Sequence, residues 1–340
     1  MVCSIPPMEE ITLASSFDGT DIPLYYRPAR GTSDAGAGSD AGQGAGAPPR
    51  GVVQFIHGMA DHARRNHYLF EALAAAGYAI YAPDLRGHGA LRLSAGTDRA
   101  EEATAIIFAE RHGLEAVISD LHDVRREIER RHPGVPFFLI GHSLGSLLAR
   151  VVAAGAPVSY RGIALFGLVG PIGPLAPIGR LVATVGRLVR GPARPNRVFK
   201  MLTFDTYART LKEEESDLDW LTRDPAEVAA YREDPLAGGP FSSPFAGDVV
   251  RATVAAHSKG TVRALGSGPA VAIFVGAADP VPKFGAEARR VARMIEGAGN
   301  RDVTVHMYPG ARHELHHEIN RDEVFHDLIG WLDERRADTV

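Results

Sequence analysis

The sequence lacks the features that mark several large classes of protein. It contains a single cysteine, Cys3, among 340 residues, so an intrachain disulfide or a site built from paired thiols is excluded. Its 37 Lys and Arg residues are balanced by 41 Asp and Glu, which gives a net charge of -4. Without a dense basic stripe the chain has no electrostatic footprint for nucleic acid, and we expect no nucleic-acid partner.

Long hydrophobic runs are also missing. The longest uncharged apolar stretch, residues 162–179, is interrupted repeatedly by glycine and proline, which a lipid-exposed spanning helix does not favour. The first ten residues contain no basic segment followed by an apolar one. The sequence therefore predicts neither a transmembrane segment nor a secretory signal, and a cytoplasmic location is the expectation.

The remaining composition is that of a folded globular protein. Hydrophobic residues make up 45% and charged residues 23% of the chain, so a large core can form. The length fits one large α/β domain with an insertion, or two smaller domains. Residues 31–49 are mostly Gly, Ala, Asp and Ser, a composition that predicts a flexible loop.

Short apolar runs alternate with segments of helical periodicity. Residues 10–28 suggest an antiparallel hairpin around Asp18-Gly19. Further strands are predicted at 52–56, 78–82, 136–140, 161–166, 271–275 and 302–308, with an amphipathic helix over 114–128. This alternation predicts an α/β fold, in which helices cover both faces of a mostly parallel sheet. It is interrupted over 168–267, which we interpret as a cap inserted between the core segments 1–167 and 268–340.

The sharpest motif is a G-x-S-x-G sequence at Gly141-His142-Ser143-Leu144-Gly145. It lies between an apolar strand and a helix-forming segment, which is the context of a nucleophile elbow. A turn this tight requires small residues at 141 and 145. It also puts the Ser143 hydroxyl at a helix N-terminus, which favours developing negative charge. The alternative is a glycine-rich turn without a catalytic role.

A nucleophilic serine needs a base and an orienting acid. Where the serine lies in a nucleophile elbow, the three residues follow along the chain in the order Ser, Asp or Glu, His. Asp279 follows the strand at 271–275, and His313 follows the strand at 302–308. These two residues complete a predicted Ser143–Asp279–His313 triad. Asp279 could instead be an ordinary turn or capping residue. The amides of Leu144 and Met59 are the predicted oxyanion donors, and no metal or cofactor is expected.

The motifs together resemble a known family. The segments that carry the resemblance are residues 57–68, 81–89, 141–146, 219–236 and 308–318. They are similar to the monoacylglycerol lipase and lysophospholipase branch of the α/β-hydrolases, over roughly residues 50 to 335. The resemblance implies an α/β-hydrolase fold with an inserted lid. It also implies cleavage of a carboxylic ester of a small molecule or lipid through an acyl-enzyme on Ser143, assisted by Asp279 and His313.

Several alternatives remain open at this point. A short-chain carboxylesterase, a thioesterase and an acyltransferase use the same triad. Residues 313–317 also match the zinc-protease motif H-E-x-x-H, which requires both histidines on one helical face and the glutamate as base. A hydrolase-like binding protein without activity is the third alternative.

Residues 178–190 of the cap predict a cationic amphipathic helix. Its apolar side is formed by Ile178, Leu181, Val182, Val185, Leu188 and Val189, and its polar side by Arg180, Thr184, Arg187 and Arg190. Such a helix is able to lie on an anionic lipid surface and give peripheral membrane contact. The alternative is a lid helix whose apolar side packs over the pocket.

Overall fold

The computed structural model describes residues 8–31, 48–93, 105–156, 159–192, 194–211 and 216–336. Residues 32–47 of the predicted flexible loop lie outside this part of the chain.

The centre of the protein is an eight-stranded sheet with the order β1-β2-β4-β3-β5-β6-β7-β8. The strands are β1 Glu9–Ala14, β2 Asp21–Arg27, β3 Gly51–Ile56, β4 Tyr78–Pro83, β5 Phe137–His142, β6 Gly162–Phe166, β7 Ala270–Gly276 and β8 Val303–Tyr308. The first two form an antiparallel hairpin, and β2 pairs antiparallel with β4. All other neighbours are parallel. The mostly parallel sheet is therefore confirmed.

Helices cover both faces of the sheet. They are α1 His67–Ala75, α2 Ala90–Leu93, α3 Gly113–Arg131, α4 Leu144–Gly155, α5 Ala176–Arg190, α6 Arg197–Leu202, α7 Phe204–Thr210, α8 Pro225–Glu233, α9 Ser243–Ala256, α10 Lys259–Gly266, α11 Ala286–Gly297 and α12 Arg321–Arg336. Apolar side chains of α1 and α12 form one core cluster with the sheet. Those of α3, α4 and α11 form the second cluster on the other face. Because β3 to β7 are buried on both faces, their sequences are almost continuously apolar.

Helices α5 to α10 lie between β6 and β7 in the chain. Helix α5 packs on α9, α9 packs on α3 and α4, and α10 packs on α4 and α11. The contact between α5 and α9 is close, because a Cβ atom at Gly186 would lie 2.4 Å from Ser243 Oγ. The last helices of the predicted insertion are thus continuous with the helical layer of the core, and the division of the chain at 168 and 267 stays a prediction.

No helix in the described ranges is both long enough and apolar enough to cross a membrane.

Candidate active site

Ser143 occupies a strained turn between β5 and α4. Its φ angle is 52°, a value that non-glycine residues rarely adopt and that costs backbone strain. A Cβ at Gly141 would lie 2.3 Å from the carbonyl oxygen of Gly145, and a Cβ at Gly145 would lie 2.0 Å from that of Ile56. Only glycine fits these two positions, so the close packing of β3, β5 and α4 holds the serine at the top of the sheet.

Asp279 and His313 are brought together by the loops that follow β7 and β8. The Nδ1 atom of His313 lies 2.8 Å from Oδ2 of Asp279, and both side chains are buried. The other carboxylate oxygen of Asp279 accepts the backbone N–H of Val281 at 2.9 Å. Since Nδ1 is occupied by the carboxylate, Nε2 is the ring nitrogen of His313 that is available for proton transfer.

Ser143 and His313 line the same cavity, which has a volume of about 60 Å³. Most of its wall is apolar and comes from both the core and the cap: Leu144, Leu147, Val169, Phe204, Val249 and Val281. A small, largely apolar cavity with a serine and a histidine in its wall has the character of a ligand site.

The two predicted oxyanion donors lie in the same wall. Met59 and Leu144 both line the cavity, and Leu144 is the first residue of α4, where backbone N–H groups have no partner within the helix. A Cβ at Gly58 would lie 3.4 Å from the Cβ of Ser143, so glycine lets the loop after β3 approach the serine closely. His57 is engaged elsewhere, because its Nε2 accepts the N–H of Leu85 at 2.9 Å.

The zinc-protease interpretation does not fit this arrangement. His313 lies in a loop with Nδ1 on Asp279. Glu314 pairs with Arg65, and His317 Nδ1 lies 2.9 Å from a carboxylate oxygen of Glu227. Residues Leu315–His317 form a short 3-10 helix. The two motif histidines therefore do not share one helical face, and the glutamate is not available as a base.

A buried ion pair beside His313 was not anticipated from the sequence. Arg65 donates two hydrogen bonds to Glu314, at 2.8 and 2.6 Å, and its guanidinium lies 4.7 Å from the ring centre of Tyr231. Burial opposes ionisation of Glu314, but Arg65 outweighs this and lowers the pKa of the carboxyl. The pair joins the segment between β3 and α1 (residues 57–66, the oxyanion loop) to the segment between β8 and α12 (residues 309–320, the histidine loop). The only sequence signal was that both residues fall in segments of the family resemblance.

The cap also contacts the histidine loop through the backbone. The N–H of Glu314 donates to the carbonyl of Leu221 at 2.7 Å, and the N–H of His313 donates to that of Trp220 at 3.4 Å. The Trp220 ring packs 5.1 Å from the His313 imidazole. A cap segment that lies far away in sequence therefore helps Asp279 to position the imidazole.

Residues 47–320 match the family model described as serine aminopeptidase, S33. The chain belongs to this family. The chain is 27% identical over 287 residues to the monoacylglycerol lipase of Mycolicibacterium smegmatis, and the alignment covers 84% of this chain and 88% of that protein. It is 26% identical over 305 residues to the monoglyceride lipase of Homo sapiens, and this alignment covers 85% of this chain and 84% of that protein.

A solved structure titled "Lipase (Open form)" superimposes with a TM-score of 0.79 at 26% identity, covering 97% of this chain and 99% of that one. The predicted α/β-hydrolase fold is confirmed, as is the resemblance to the monoacylglycerol lipase branch. This S33 chain is a serine ester hydrolase. The individual roles of Ser143, Asp279, His313, Met59 and Leu144 stay predictions.

Proposed function

We propose that this chain hydrolyses monoacyl lipid esters, of the monoacylglycerol or lysophospholipid type, through an acyl-enzyme on Ser143. The observation that carries the proposal is the joint placement of Ser143 and His313 in one apolar-walled cavity, with Asp279 2.8 Å from the imidazole. The similarity to proteins named monoacylglycerol lipase and monoglyceride lipase supports the choice of a lipid ester.

The reaction follows from the positions of these side chains. Nε2 of His313 takes the proton of the Ser143 hydroxyl as its oxygen attacks the ester carbonyl. The N–H groups of Met59 and Leu144 stabilise the oxyanion, and Asp279 stabilises the imidazolium. The imidazolium then protonates the leaving alcohol. Water, deprotonated by His313, cleaves the acyl-enzyme by the same steps in reverse order.

The cavity is too small to hold a long acyl chain unless the cap moves. A volume of about 60 Å³ is well below the roughly 300–1,000 Å³ of typical small-molecule pockets. A long acyl chain therefore requires displacement of cap residues such as Phe204, which forms part of the wall. In this proposal the described conformation is a closed one, and the cap moves outward when substrate enters.

An ester fits the site better than a peptide with a free amino terminus. Among the described residues that line the cavity, the carboxylate is Glu314, and it is already paired with Arg65. The carboxylate of Asp279 is paired with His313. Binding a peptide ammonium group in this apolar cavity would leave a buried charge without a partner, which is costly.

Helix α5 supports peripheral contact with a membrane as part of this function. It packs on α9 through small residues such as Ala183 and Gly186, which turns its large apolar side chains outward. Exposed side chains along this side are Leu175, Ile178, Leu181, Val185, Leu188 and Val189, the last two at 73% and 76%. This exposure supports contact with lipid over the alternative in which the apolar side packs over the pocket. We propose that this side enters the lipid interface while Arg180 and Arg187 attract anionic headgroups.

The function is tested with a chain-length series of p-nitrophenyl esters, measured beside monoacylglycerols and lysophospholipids. Each methylene that an apolar pocket accommodates contributes about 0.8 kcal/mol, so kcat/KM should rise with chain length before a cut-off. A maximum at acetate would show that the enzyme is a short-chain esterase and that the lipid assignment is wrong.

The nucleophile is tested separately with a fluorophosphonate probe. Wild-type protein and the control Ser119→Ala should be labelled equally, because Ser119 lies on α3, away from the cavity. Ser143→Ala should not be labelled, although its thermal unfolding should remain cooperative. Full labelling of Ser143→Ala would assign the nucleophile to another residue.

A further inference from the structure

Three buried side chains behind the nucleophile converge on one point. Asp61 lies in the oxyanion loop, His142 is the last residue of β5, and His316 lies in the 3-10 helix after His313. Their exposures are 2%, 2% and 1%. One ligand-type atom from each side chain lies within 4.8 Å of the other two. None of the three has a role in the proposed reaction.

The polar atoms of this cluster are not satisfied by the part of the protein that the structure describes. Both ring nitrogens of His142, both of His316, and Oδ1 of Asp61 are buried without a hydrogen-bond partner there. Two polar contacts of the carboxylate are long, at 3.3 Å from Oδ2 to Asn66 Nδ2 and 3.6 Å from Oδ1 to Arg65 Nη1. Buried polar atoms without partners cost about 1–3 kcal/mol each, so five in one place indicate a ligand.

The charge balance of the cluster favours a cation over neutral water. The guanidinium of Arg65 lies 2.6 and 2.8 Å from the carboxylate oxygens of Glu314, but 3.6 Å from that of Asp61. One guanidinium therefore faces two carboxylates, and a negative charge remains buried. Buried charges are paired or coordinate metal ions, so a cation beside the Asp61 carboxylate offsets this charge.

We propose that Asp61, His142 and His316 bind a divalent transition-metal ion of the zinc type. Two imidazole nitrogens and one carboxylate oxygen form a common ligand set for such ions. His142 also lines the catalytic cavity, which provides an entry path and a place for a fourth ligand such as water. The site is distinct from the H-E-x-x-H motif, whose His313, Glu314 and His317 pair with other side chains.

Occupancy of this site inhibits catalysis, a consequence that rests on the proposed function. The His142 ring centre lies 5.0 Å from that of His313. During acylation His313 becomes an imidazolium, and a cation on the neighbouring imidazole destabilises that charge. The metal therefore weakens the general base without touching Ser143, and it lowers kcat more than it raises KM for a small ester.

Binding is tested with untagged protein carrying Ser143→Ala, so that the readout does not depend on activity. Titration with Co²⁺ should produce a visible d–d absorption band that saturates at one equivalent, and Zn²⁺ should displace it. Asp61→Asn and His316→Gln should each weaken Co²⁺ binding at least tenfold. The matched control is His306→Gln, which should leave the band unchanged, because His306 is a partly exposed histidine 3.8 Å from Asp327.

Inhibition is tested with Zn²⁺ and a soluble p-nitrophenyl ester. The wild type and His306→Gln should lose activity over the same range of Zn²⁺ concentration. Inhibition of His316→Gln should require at least tenfold more Zn²⁺. Asp61→Asn preserves side-chain shape and keeps the test valid if His316→Gln fails to fold.

Absence of a saturable Co²⁺ band, or a band unchanged by both Asp61→Asn and His316→Gln, overturns the metal site. A wild-type protein without esterase activity that still binds one Co²⁺ would instead overturn the proposed function and leave the metal site standing.

Discussion

The Nδ1 atom of His313 lies 2.8 Å from Oδ2 of Asp279, and both side chains are buried. A second His–Asp pair provides a comparison, because His306 and Asp327 lie 3.8 Å apart and are partly exposed. The two pairs have the same chemical groups, and only the first lies beside a nucleophile. Comparing them separates a catalytic role from a merely structural one.

Asp279→Asn should lower kcat on the order of 10³- to 10⁴-fold, with a small change in KM. The amide no longer holds the imidazole in the correct tautomer, nor does it stabilise the imidazolium. Steady-state kinetics with a soluble ester measures the effect. Asp327→Asn is the control and should stay within twofold of the wild type. Equal losses in the two variants would mean that Asp279 acts only through stability.

Gly145→Ala should destabilise the protein strongly and abolish activity. Its Cβ would lie 2.0 Å from the carbonyl oxygen of Ile56, so the elbow cannot keep its position against β3. Gly330→Ala is the matched control, since nothing lies within 4 Å of a Cβ at that helical position. It should increase the free energy of unfolding by about 0.5–1 kcal/mol. Denaturant unfolding measures both, and similar values would contradict the packing argument.

Arg65→Met should lower the free energy of unfolding by about 3–5 kcal/mol, because it leaves the buried Glu314 carboxylate without its partner. The exposed pair Lys200–Asp205 is the control, and Lys200→Met should cost less than about 1 kcal/mol. Adding Glu314→Gln to Arg65→Met should restore part of the loss. If the double variant is as unstable as the sum of the single variants, the pair is not coupled.

Acid should destabilise the protein partly through His257. Burial, with a smaller contribution from Arg150, lowers the pKa of His257 from 6.5 to about 4. The unfolded chain therefore binds a proton between pH 6.5 and 4 that the folded protein does not. Stability from this group is complete above pH 6.5 and is lost as pH falls toward 4.

Lowering the pH from 8 to 5 should decrease the free energy of unfolding in both proteins. The decrease should be about 2 kcal/mol smaller in His257→Gln than in the wild type. Glutamine retains an acceptor for Arg150 Nη1, which lies 2.9 Å from His257 Nε2. Urea unfolding at the two pH values measures the difference. Parallel pH profiles would show that folding does not lower the pKa of His257.

Binding to lipid should depend on helix α5. The triple variant Arg180→Gln, Arg187→Gln and Arg190→Gln should sediment less with anionic liposomes and lose the salt dependence of binding. Leu181→Ser combined with Leu188→Ser should reduce sedimentation at all salt concentrations. Hydrolysis of a small soluble ester should remain within twofold in both variants.

Ile319→Ser is the control for the apolar substitutions, because this side chain is also exposed but lies elsewhere on the surface. If all variants sediment with liposomes to the same extent as the wild type at low salt, α5 is a lid helix without a membrane role.

The sequence by itself determined the local features of this protein. Strands β3 to β7 were predictable because burial on both faces demands continuous apolar runs. The elbow around Ser143 was predictable because only small residues at 141 and 145 permit the turn. The order of Ser143, Asp279 and His313 along the strands indicated the candidate triad before any distance was known.

Tertiary structure decided everything that depends on contacts distant in sequence. The pairing of Arg65 with Glu314 spans 249 residues, and no local pattern specifies which charge meets which. The exposed side of α5 was also undecided by the sequence, because a helix with small residues on one side and large apolar residues on another can pack through either. Packing on α9 selected the small residues, since close approach of two helices requires them, and this left the apolar side facing outward.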